Sequence, residues 1–366
     1  MAVMSDAPAP VDEAVLTDLR ARLRAYRPVA LPRGHGWDRG VDVDYLADLV
    51  AYWAERYDWR VAERRILALP WVRTVVDGVA ARAVHQRARD AAAPAVVLLH
   101  GWPDSVLRFE PVLPLLTDVH VVPCLPGYPF AEPPAPAGMS TAAMAGVVAG
   151  MLAELGHDRY VVCGGDIGAA VAEELAAAYP GRVAALHLTN VPTGHLATIP
   201  EAELTREERA YAAAVRSWVR AEGGYAQEQA TKPHTLAVGL GDSPAGLAAW
   251  IVEKLRAWSD CGGDVESAFA RDDLLTWVTA YWVTGTIGTS FAPYVEPRTP
   301  VGRLDVPTVV SLFPHDPLPA PRSLVERFLD LRVWDEQPDG GHFPAWERPA
   351  AYAAGVRAAV AAAGPA

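Results

Sequence analysis

The sequence predicts an α/β fold in which a mostly parallel, doubly wound sheet carries an inserted helical cap and an amino-terminal helical extension. Short apolar runs typical of buried strands alternate with helical stretches, as a parallel sheet requires. In the middle of the chain this alternation stops, helical periodicity and aromatic side chains take over, and strands then resume. The predicted segments are an amino-terminal segment, a first core part, a helical cap and a second core part, at residues 1–70, 71–192, 193–297 and 298–366.

Two amphipathic helices are predicted before the first strand, because apolar residues recur at helical spacing from Val15 to Tyr26 and from Leu46 to Trp53. A β-hairpin is predicted next, since Asp77-Gly78 separates two apolar runs and this dipeptide favours a tight turn. The hairpin should open the main sheet. The further predicted strands lie at residues 94–99, 119–123, 160–164, 183–188, 306–313 and 331–334.

The most informative stretch is Gly164-x-Asp166-x-Gly168, where an apolar run meets a glycine-rich corner and then an alanine-rich helix. This is the nucleophile elbow G-x-S-x-G with aspartate in the serine position. Asp166 would stand at a helix start, where unpaired N–H groups and a partial positive charge favour a carboxylate. By itself the pentapeptide is equally compatible with an ordinary loop that ends in a capping aspartate.

Two residues later in the chain support the interpretation of this turn as a nucleophile elbow. Asp316 and His342 each follow a predicted strand, and the order nucleophile, acid, histidine along the chain is that of the α/β-hydrolase fold. In that fold the oxyanion hole takes one N–H from the residue after the nucleophile and one from an earlier strand-end loop, here Ile167 and Trp102. The sequence therefore predicts an α/β-hydrolase fold with a complete catalytic set.

An aspartate nucleophile suits attack at an sp3 carbon, because it leaves an ester that water can hydrolyse, whereas serine would leave a stable ether. Asp166 would form the ester by displacement, and His342 would then deprotonate water. Asp316 would orient the imidazole, and the N–H groups of Trp102 and Ile167 would stabilise the tetrahedral intermediate at the ester carbonyl.

Composition excludes several other classes of function. The net charge of -12 argues against nucleic-acid and anionic-membrane partners, which bind basic patches. Three scattered cysteines suggest neither a disulfide framework nor a zinc site, the histidines show no metal-ligand spacing, and no cofactor is implied. We find neither a secretory leader nor an apolar stretch long enough for a membrane anchor, so we expect a cytoplasmic protein, with a homodimer left open.

Six motifs spread over nearly the whole chain together resemble the microsomal and juvenile-hormone epoxide hydrolase family. They are His100-Gly101-Trp102-Pro103, Gly164-Gly165-Asp166-Ile167-Gly168, Thr231-Lys232-Pro233, Asp242-Ser243-Pro244-Ala245-Gly246-Leu247, Tyr281-Trp282-Val283-Thr284-Gly285-Thr286 and Gly340-Gly341-His342-Phe343. The resemblance implies conversion of a small-molecule epoxide and water to a vicinal diol. It also implies that Tyr225 and Tyr294 donate protons to the opening ring, although aromatic packing is the alternative for any single tyrosine.

The chain departs from this family at Asp104, where relatives usually have glycine, and at Ala292, where they often have arginine. Both changes are expected to alter the charge and shape of the pocket rim. The turn at Trp102-Pro103 is expected to contain a cis peptide bond, as in relatives. A bacterial secondary-metabolite epoxide, of the enediyne or polyketide kind, is the expected natural substrate.

Three interpretations of function stay open at this point. An epoxide hydrolase is favoured by the paired cap tyrosines. A haloalkane dehalogenase would share the aspartate nucleophile, but it binds halide through indole N–H groups, commonly from the residue after the nucleophile, and here that residue is Ile167. A noncatalytic binding protein on the same scaffold would normally have lost a catalytic residue, and none is missing.

Overall fold

The computed structural model describes residues 7–32, 34–87, 94–116, 119–132, 139–296 and 301–364. The strands in these parts of the chain are β1 (Trp71–Val76), β2 (Val79–Gln86), β3 (Ala95–Leu99), β4 (Val119–Pro123), β5 (Tyr160–Gly164), β6 (Val183–Leu188), β7 (Leu304–Leu312) and β8 (Leu329–Glu336). They form one eight-stranded sheet in the order β1-β2-β4-β3-β5-β6-β7-β8. Strand β2 pairs antiparallel with β1 and β4, and the remaining neighbours are parallel.

The predicted hairpin is confirmed, and so is the placement of the central strands. Asp77 and Gly78 both have positive φ, at 49° and 82°, as the tight turn between β1 and β2 requires. In the middle of the sheet β3 runs parallel to β5, with Leu99 opposite Gly164. The loop after β3 and the turn after β5 therefore begin side by side at the same edge of the sheet.

Three helices precede the sheet, one more than the two that the sequence predicts. They are α1 (Glu13–Arg24), α2 (Val43–Glu55) and α3 (Trp59–Leu67). Aspartates at positions 12, 42 and 58 accept hydrogen bonds from main-chain N–H groups in the first turns. The third helix was missed because it has only nine residues, and arginine and glutamate interrupt its buried face of Trp59, Ala62 and Ile66.

The remaining helices surround the sheet and form the insertion. They are α4 (Thr141–Glu154), α5 (Ile167–Ala178), α6 (Arg206–Glu222), α7 (Gly224–Thr231), α8 (Pro233–Asp242), α9 (Pro244–Trp258), α10 (Arg271–Thr284), α11 (Ala292–Val295), α12 (Arg322–Phe328), α13 (Pro344–Glu347) and α14 (Pro349–Ala362). Every residue of β5 is buried, and both α5 and α14 pack against this strand. Such full burial is typical of a parallel strand covered on both faces.

The insertion between β6 and β7 comprises α6 to α11. The three amino-terminal helices pack against this insertion. Helices α1 and α2 pack against α9, and α3 packs against α10. Hydroxyl groups of three tyrosines add hydrogen bonds, which join Tyr45 to Glu266 (3.1 Å), Tyr52 to Asp272 (2.8 Å) and Tyr57 to Thr276 (3.0 Å). Within the described ranges no single helix is long and apolar enough to cross a membrane, and α8 and α9 would reach that length only together, across a bend of 114°.

Candidate active site

The turn between β5 and α5 holds Asp166 in an uncommon backbone conformation. Its φ is 56° and its ψ is -128°, and its N–H donates to Oδ1 of Asn190 at 2.8 Å. Such φ values are strained for a residue with a side chain, and they place that side chain at the tip of the turn. Gly101 allows the close approach of the neighbouring loop, because a Cβ there would lie 2.5 Å from the Asp166 side chain.

The loop after β3 directs a main-chain donor at the Asp166 carboxylate. The N–H of Trp102 donates to Oδ1 at 2.9 Å, and the N–H of Ile167 also hydrogen-bonds to this carboxylate. The Trp102-Pro103 peptide is cis, as expected. Burial raises the pKa of Asp166, but the positive charge of His342 and the two N–H donors outweigh it, so the pKa lies below its ordinary value. The carboxylate is therefore ionised near neutral pH, as a nucleophile must be.

His342 lies between two carboxylates. Its Nδ1 is 2.8 Å from Oδ2 of Asp316, and its Nε2 is 3.6 Å from Oδ2 of Asp166. All three side chains come from loops at the carboxyl edge of the sheet, after β7, β8 and β5. Burial lowers the pKa of His342, but the charges of Asp316 and Asp166 and the hydrogen bond to Asp316 raise it to about 10. With both carboxylates ionised, the imidazole is thus protonated at neutral pH.

A buried ion pair between Asp104 and Arg108 supports both the loop that carries Trp102 and the loop that carries His342. Oδ1 of Asp104 accepts from the N–H of Gly101 at 2.8 Å, and Oδ2 lies 2.5 Å from Nη1 of Arg108. The other guanidinium nitrogen, Nη2, donates to the main-chain oxygen of His342 at 3.1 Å. Asp104 and Arg108 are each 2% exposed. The expectation that Asp104 changes the pocket rim was wrong, since its side chain is buried against Arg108 within the oxyanion loop, the segment 100–105 after β3.

The two predicted tyrosines lie in the insertion, on α7 and α11, and they meet over the ring of Trp102. Tyr225 stacks on this indole with ring centroids 5.3 Å apart and an interplanar angle of 12°. Tyr294 meets it edge-on at 6.2 Å, and the two phenol rings are 6.1 Å apart. Lys254, which is 7% exposed, places its Nζ 5.0 Å from the centroid of Tyr225. Packing against one indole therefore brings the two tyrosines together.

A cavity of about 800 Å³ is lined by all five side chains that the sequence predicts to be catalytic. Its lining includes Asp166, His342, Asp316, Tyr225 and Tyr294. This volume lies in the range of small-molecule sites, and the lining mixes apolar side chains with a few polar groups. The structure thus gathers side chains that are far apart in sequence around one space for a ligand.

Two other histidines lie near the site. His100 is fully buried and its Nε2 accepts from the N–H of Leu125 at 3.1 Å, which makes it part of the loop scaffold. His315 is 55% exposed in its side chain and lies 3.3 Å from Asp260, outside the Asp316–His342 pair. Sequence reasoning missed Glu173 and His195, because each has its partner on another element and no local pattern marks them. It also missed Arg108, although the i, i+4 spacing from Asp104 was a signal that could have found it.

The fold and the site define an α/β-hydrolase in which aspartate occupies the nucleophile position. The family described as "Epoxide hydrolase N terminus" matches residues 5–109, and the α/β hydrolase fold family matches residues 94–238. A Stigmatella aurantiaca protein that carries the provisional name epoxide hydrolase is 38% identical over 95% of this chain and 82% of its own length. The juvenile hormone epoxide hydrolase of Bombyx mori is 30% identical over 95% and 84%. The chain belongs to the epoxide hydrolase family, and it is an epoxide hydrolase.

Solved structures agree with this assignment. The epoxide hydrolase of Aspergillus niger has a TM-score of 0.86 and 28% identity, covering 99% of this chain and 96% of that one. The Bombyx mori juvenile hormone epoxide hydrolase has a TM-score of 0.87 and 27% identity, covering 98% and 94%. The comparisons support the first of the three interpretations, and neither the dehalogenase nor the noncatalytic one gains support from them.

Proposed function

We propose that the enzyme opens its epoxide through a covalent aspartyl ester and releases a vicinal diol. One observation carries this proposal. The two oxygens of the Asp166 carboxylate have different surroundings, since Oδ1 accepts from the Trp102 N–H whereas Oδ2 faces Nε2 of His342 across 3.6 Å. Oδ2 is therefore the oxygen that attacks, and Oδ1 becomes the carbonyl oxygen of the ester, already seated where the oxyanion will form.

In the first step Oδ2 of Asp166 forms a bond to an epoxide carbon, and the bond from that carbon to the ring oxygen breaks. The electron pair goes to the ring oxygen, which receives a proton from Tyr225 or Tyr294. The support for this role is that both tyrosines line the same cavity as Asp166. Phenols with pKa values near 10 are suitable donors to a developing alkoxide.

In the second step His342 deprotonates a water molecule, and the hydroxide attacks the ester carbonyl. Formation of the ester removes the negative charge of Asp166, and this charge is one of the causes that raise the pKa of His342. The pKa of the imidazole therefore falls when the ester forms, so that Nε2 can give up its proton, which replaces the one that the tyrosine lost in ring opening, and can then act as a base. Trp102 and Ile167 hold the oxyanion, and Asp316 holds the imidazolium. When the intermediate collapses, the ester C–O bond breaks and the imidazolium protonates the departing oxygen of the diol. The carboxylic acid of Asp166 then gives its proton to His342, which restores the carboxylate and the imidazolium.

A mass-spectrometric experiment tests the covalent mechanism. Ring opening needs a carboxylate and phenol donors but no base, so His342→Gln mixed with a terminal aryl epoxide should gain the mass of one whole epoxide on the peptide that contains Asp166. Asp166→Ala, treated identically, should show no adduct. A single turnover of wild type in oxygen-18 water should label the Asp166 carboxylate. Label found only in the diol would mean direct attack by water, and the mechanism would be wrong.

The biological setting is part of the same proposal. We infer a cytoplasmic location, supported by three cysteines whose thiols are all buried, at positions 124, 163 and 261. A bacterial secondary-metabolite epoxide of the enediyne or polyketide kind is the proposed natural substrate, and a homodimer the proposed assembly. A panel of epoxides with chiral analysis of the diols, and light scattering of the purified enzyme, test these two points.

A further inference from the structure

The cavity continues beyond the nucleophile along one face of α5. Ile167, Ala170 and Glu173 lie at helical spacing and all line it, so its wall follows the helix axis away from Asp166. Glu173 lies seven positions after Asp166, which corresponds to about 10 Å along the helix at the usual rise per residue. His195, from the short helical turn after β6, lines the cavity at the same level.

Glu173 and His195 form a buried polar pair in this far part of the cavity. Each is 2% exposed, and Nε2 of His195 lies 2.9 Å from Oε2 of Glu173. The imidazole stacks on Phe328 with ring centroids 4.3 Å apart, which fixes its orientation. Oε1 of Glu173 and Nδ1 of His195 have no hydrogen-bond partner among the residues that the structure describes.

The chemistry of these two atoms defines the group that they can bind. If Nε2 donates to Glu173, Nδ1 of the neutral imidazole is an acceptor, and the free carboxylate oxygen is an acceptor in any case. A buried acceptor without a donor destabilises the protein, and a ligand that supplies a donor removes this cost. Glu174 and Glu296 also line the cavity, so the electrostatic potential there favours a donor with positive charge.

We propose that Glu173 and His195 form a second subsite that binds a hydrogen-bond donor, a hydroxyl or a protonated amine, at the far end of the substrate. This proposal rests on the proposed function, because Asp166 must hold the oxirane for the tail to reach the pair. The substrate class is thus an epoxide with a polar donor about 10 Å from its ring, the length given by the helical rise. The pair selects the substrate and takes no part in bond making.

The wild-type enzyme provides the first test. Terminal epoxides with unbranched chains of increasing length, ending in a methyl, a hydroxyl or a primary ammonium group, are compared by kcat/KM of diol formation. At the chain length that spans Asp166 to Glu173, donor-ended substrates should exceed the methyl-ended one by about tenfold or more, as expected for a hydrogen bond to a charged group. Shorter chains should show no such preference. Equal kcat/KM for the three chain ends at every length would overturn the proposal.

Two variants then test whether Glu173 is the residue that produces the preference for donor-ended substrates. Glu173→Gln should remove most of the preference for ammonium over methyl and keep more of the preference for hydroxyl, since the amide oxygen still accepts. Glu174→Gln is the matched control. It removes one charge from the cavity but leaves the Glu173–His195 pair intact, so it should keep the preference for hydroxyl and lose only a small part of the preference for ammonium. A ratio of two substrates on one preparation does not depend on the fraction of folded enzyme. An unchanged ratio in Glu173→Gln, or an equal loss in Glu174→Gln, would contradict a specific role of Glu173.

The experiments distinguish a failure of the subsite proposal from a failure of the covalent mechanism. If the His342→Gln adduct forms and the methyl-ended epoxides are hydrolysed, but no chain end is preferred, the subsite alone is refuted. If neither an adduct nor oxygen-18 label in Asp166 is found, the covalent mechanism fails, and the subsite proposal falls with it.

Discussion

Replacement of Asp104 by asparagine tests whether the buried ion pair with Arg108 holds the oxyanion loop and His342 in place. Asp104→Asn keeps the shape of the side chain and one acceptor for the Gly101 N–H. It removes the negative charge that lies 2.5 Å from the guanidinium of Arg108, which is only 2% exposed. Removal of one partner from a buried ion pair costs about 3–5 kcal/mol, because the remaining charge stays buried without compensation. We expect the free energy of unfolding to fall by this amount.

The double variant Asp104→Asn, Arg108→Met separates the charge from the packing. Methionine fills part of the space of arginine and leaves no buried charge, so the double variant should be more stable than Asp104→Asn by about 1–3 kcal/mol. It still lacks the hydrogen bond from Arg108 to the main-chain oxygen of His342, which is 3.1 Å long in the native enzyme. Its stability should therefore recover more than its activity.

The measurements are urea unfolding for stability and single-turnover kinetics for activity. Arg322→Met serves as a control, because Arg322 is 57% exposed in its side chain and pairs at 2.7 Å with Glu326, which is 50% exposed. Such a partly exposed pair contributes about 1 kcal/mol or less. The reasoning would be refuted if Asp104→Asn were within about 1 kcal/mol of wild type, which is the range expected for the exposed pair, and if the second replacement brought no recovery.

Three further predictions concern the catalytic groups. Tyr225→Phe and Tyr294→Phe should each slow ester formation by about a hundredfold, the usual size of a general-acid contribution, while stopped-flow hydrolysis of a preformed ester should change little. The pKa of His342 rises on folding from an ordinary value of about 6.5 to about 10, so its stabilising effect is complete below pH 6.5 and is lost as the pH rises towards 10. Thermal unfolding of wild type should therefore shift to lower temperature over this interval, and His342→Gln should show a smaller shift. Gly101→Ala would place a methyl carbon 2.5 Å from the nucleophile's side chain, and kcat should fall by about a hundredfold with the protein still folded; wild-type kcat in this variant would contradict the geometry.

The elements around the nucleophile could be predicted from the sequence because local patterns encode them. The apolar run of β5, the glycines after it and the helix of α5 are contiguous, and the chain order of Asp166, Asp316 and His342 restricts how they can meet. The placement of Tyr225 and Tyr294 depended instead on the resemblance to known enzymes. No spacing within α7 or α11 would have distinguished these tyrosines from packed aromatic residues.

What the sequence did not reveal depends on which side chains are buried and on contacts between distant elements. Asp104 was expected at the pocket rim, but its carboxylate is buried against Arg108, four positions later in the chain. Glu173 and His195 are 22 positions apart and meet only because α5 and the turn after β6 lie side by side. A single sequence carries no periodicity for such pairs, so only the folded chain can show them.

The hydrogen bonds between the amino-terminal helices and the insertion also affect how the chain can fold while it is being synthesised. Tyr45, Tyr52 and Tyr57 meet partners that lie 221, 220 and 219 positions later in the chain. At the usual rate of translation these partners leave the ribosome roughly 10–40 s after the tyrosines. During this interval the apolar faces of α1, α2 and α3 lack the surface on which they finally pack, so the nascent chain carries its first helices exposed until α9 and α10 have been made.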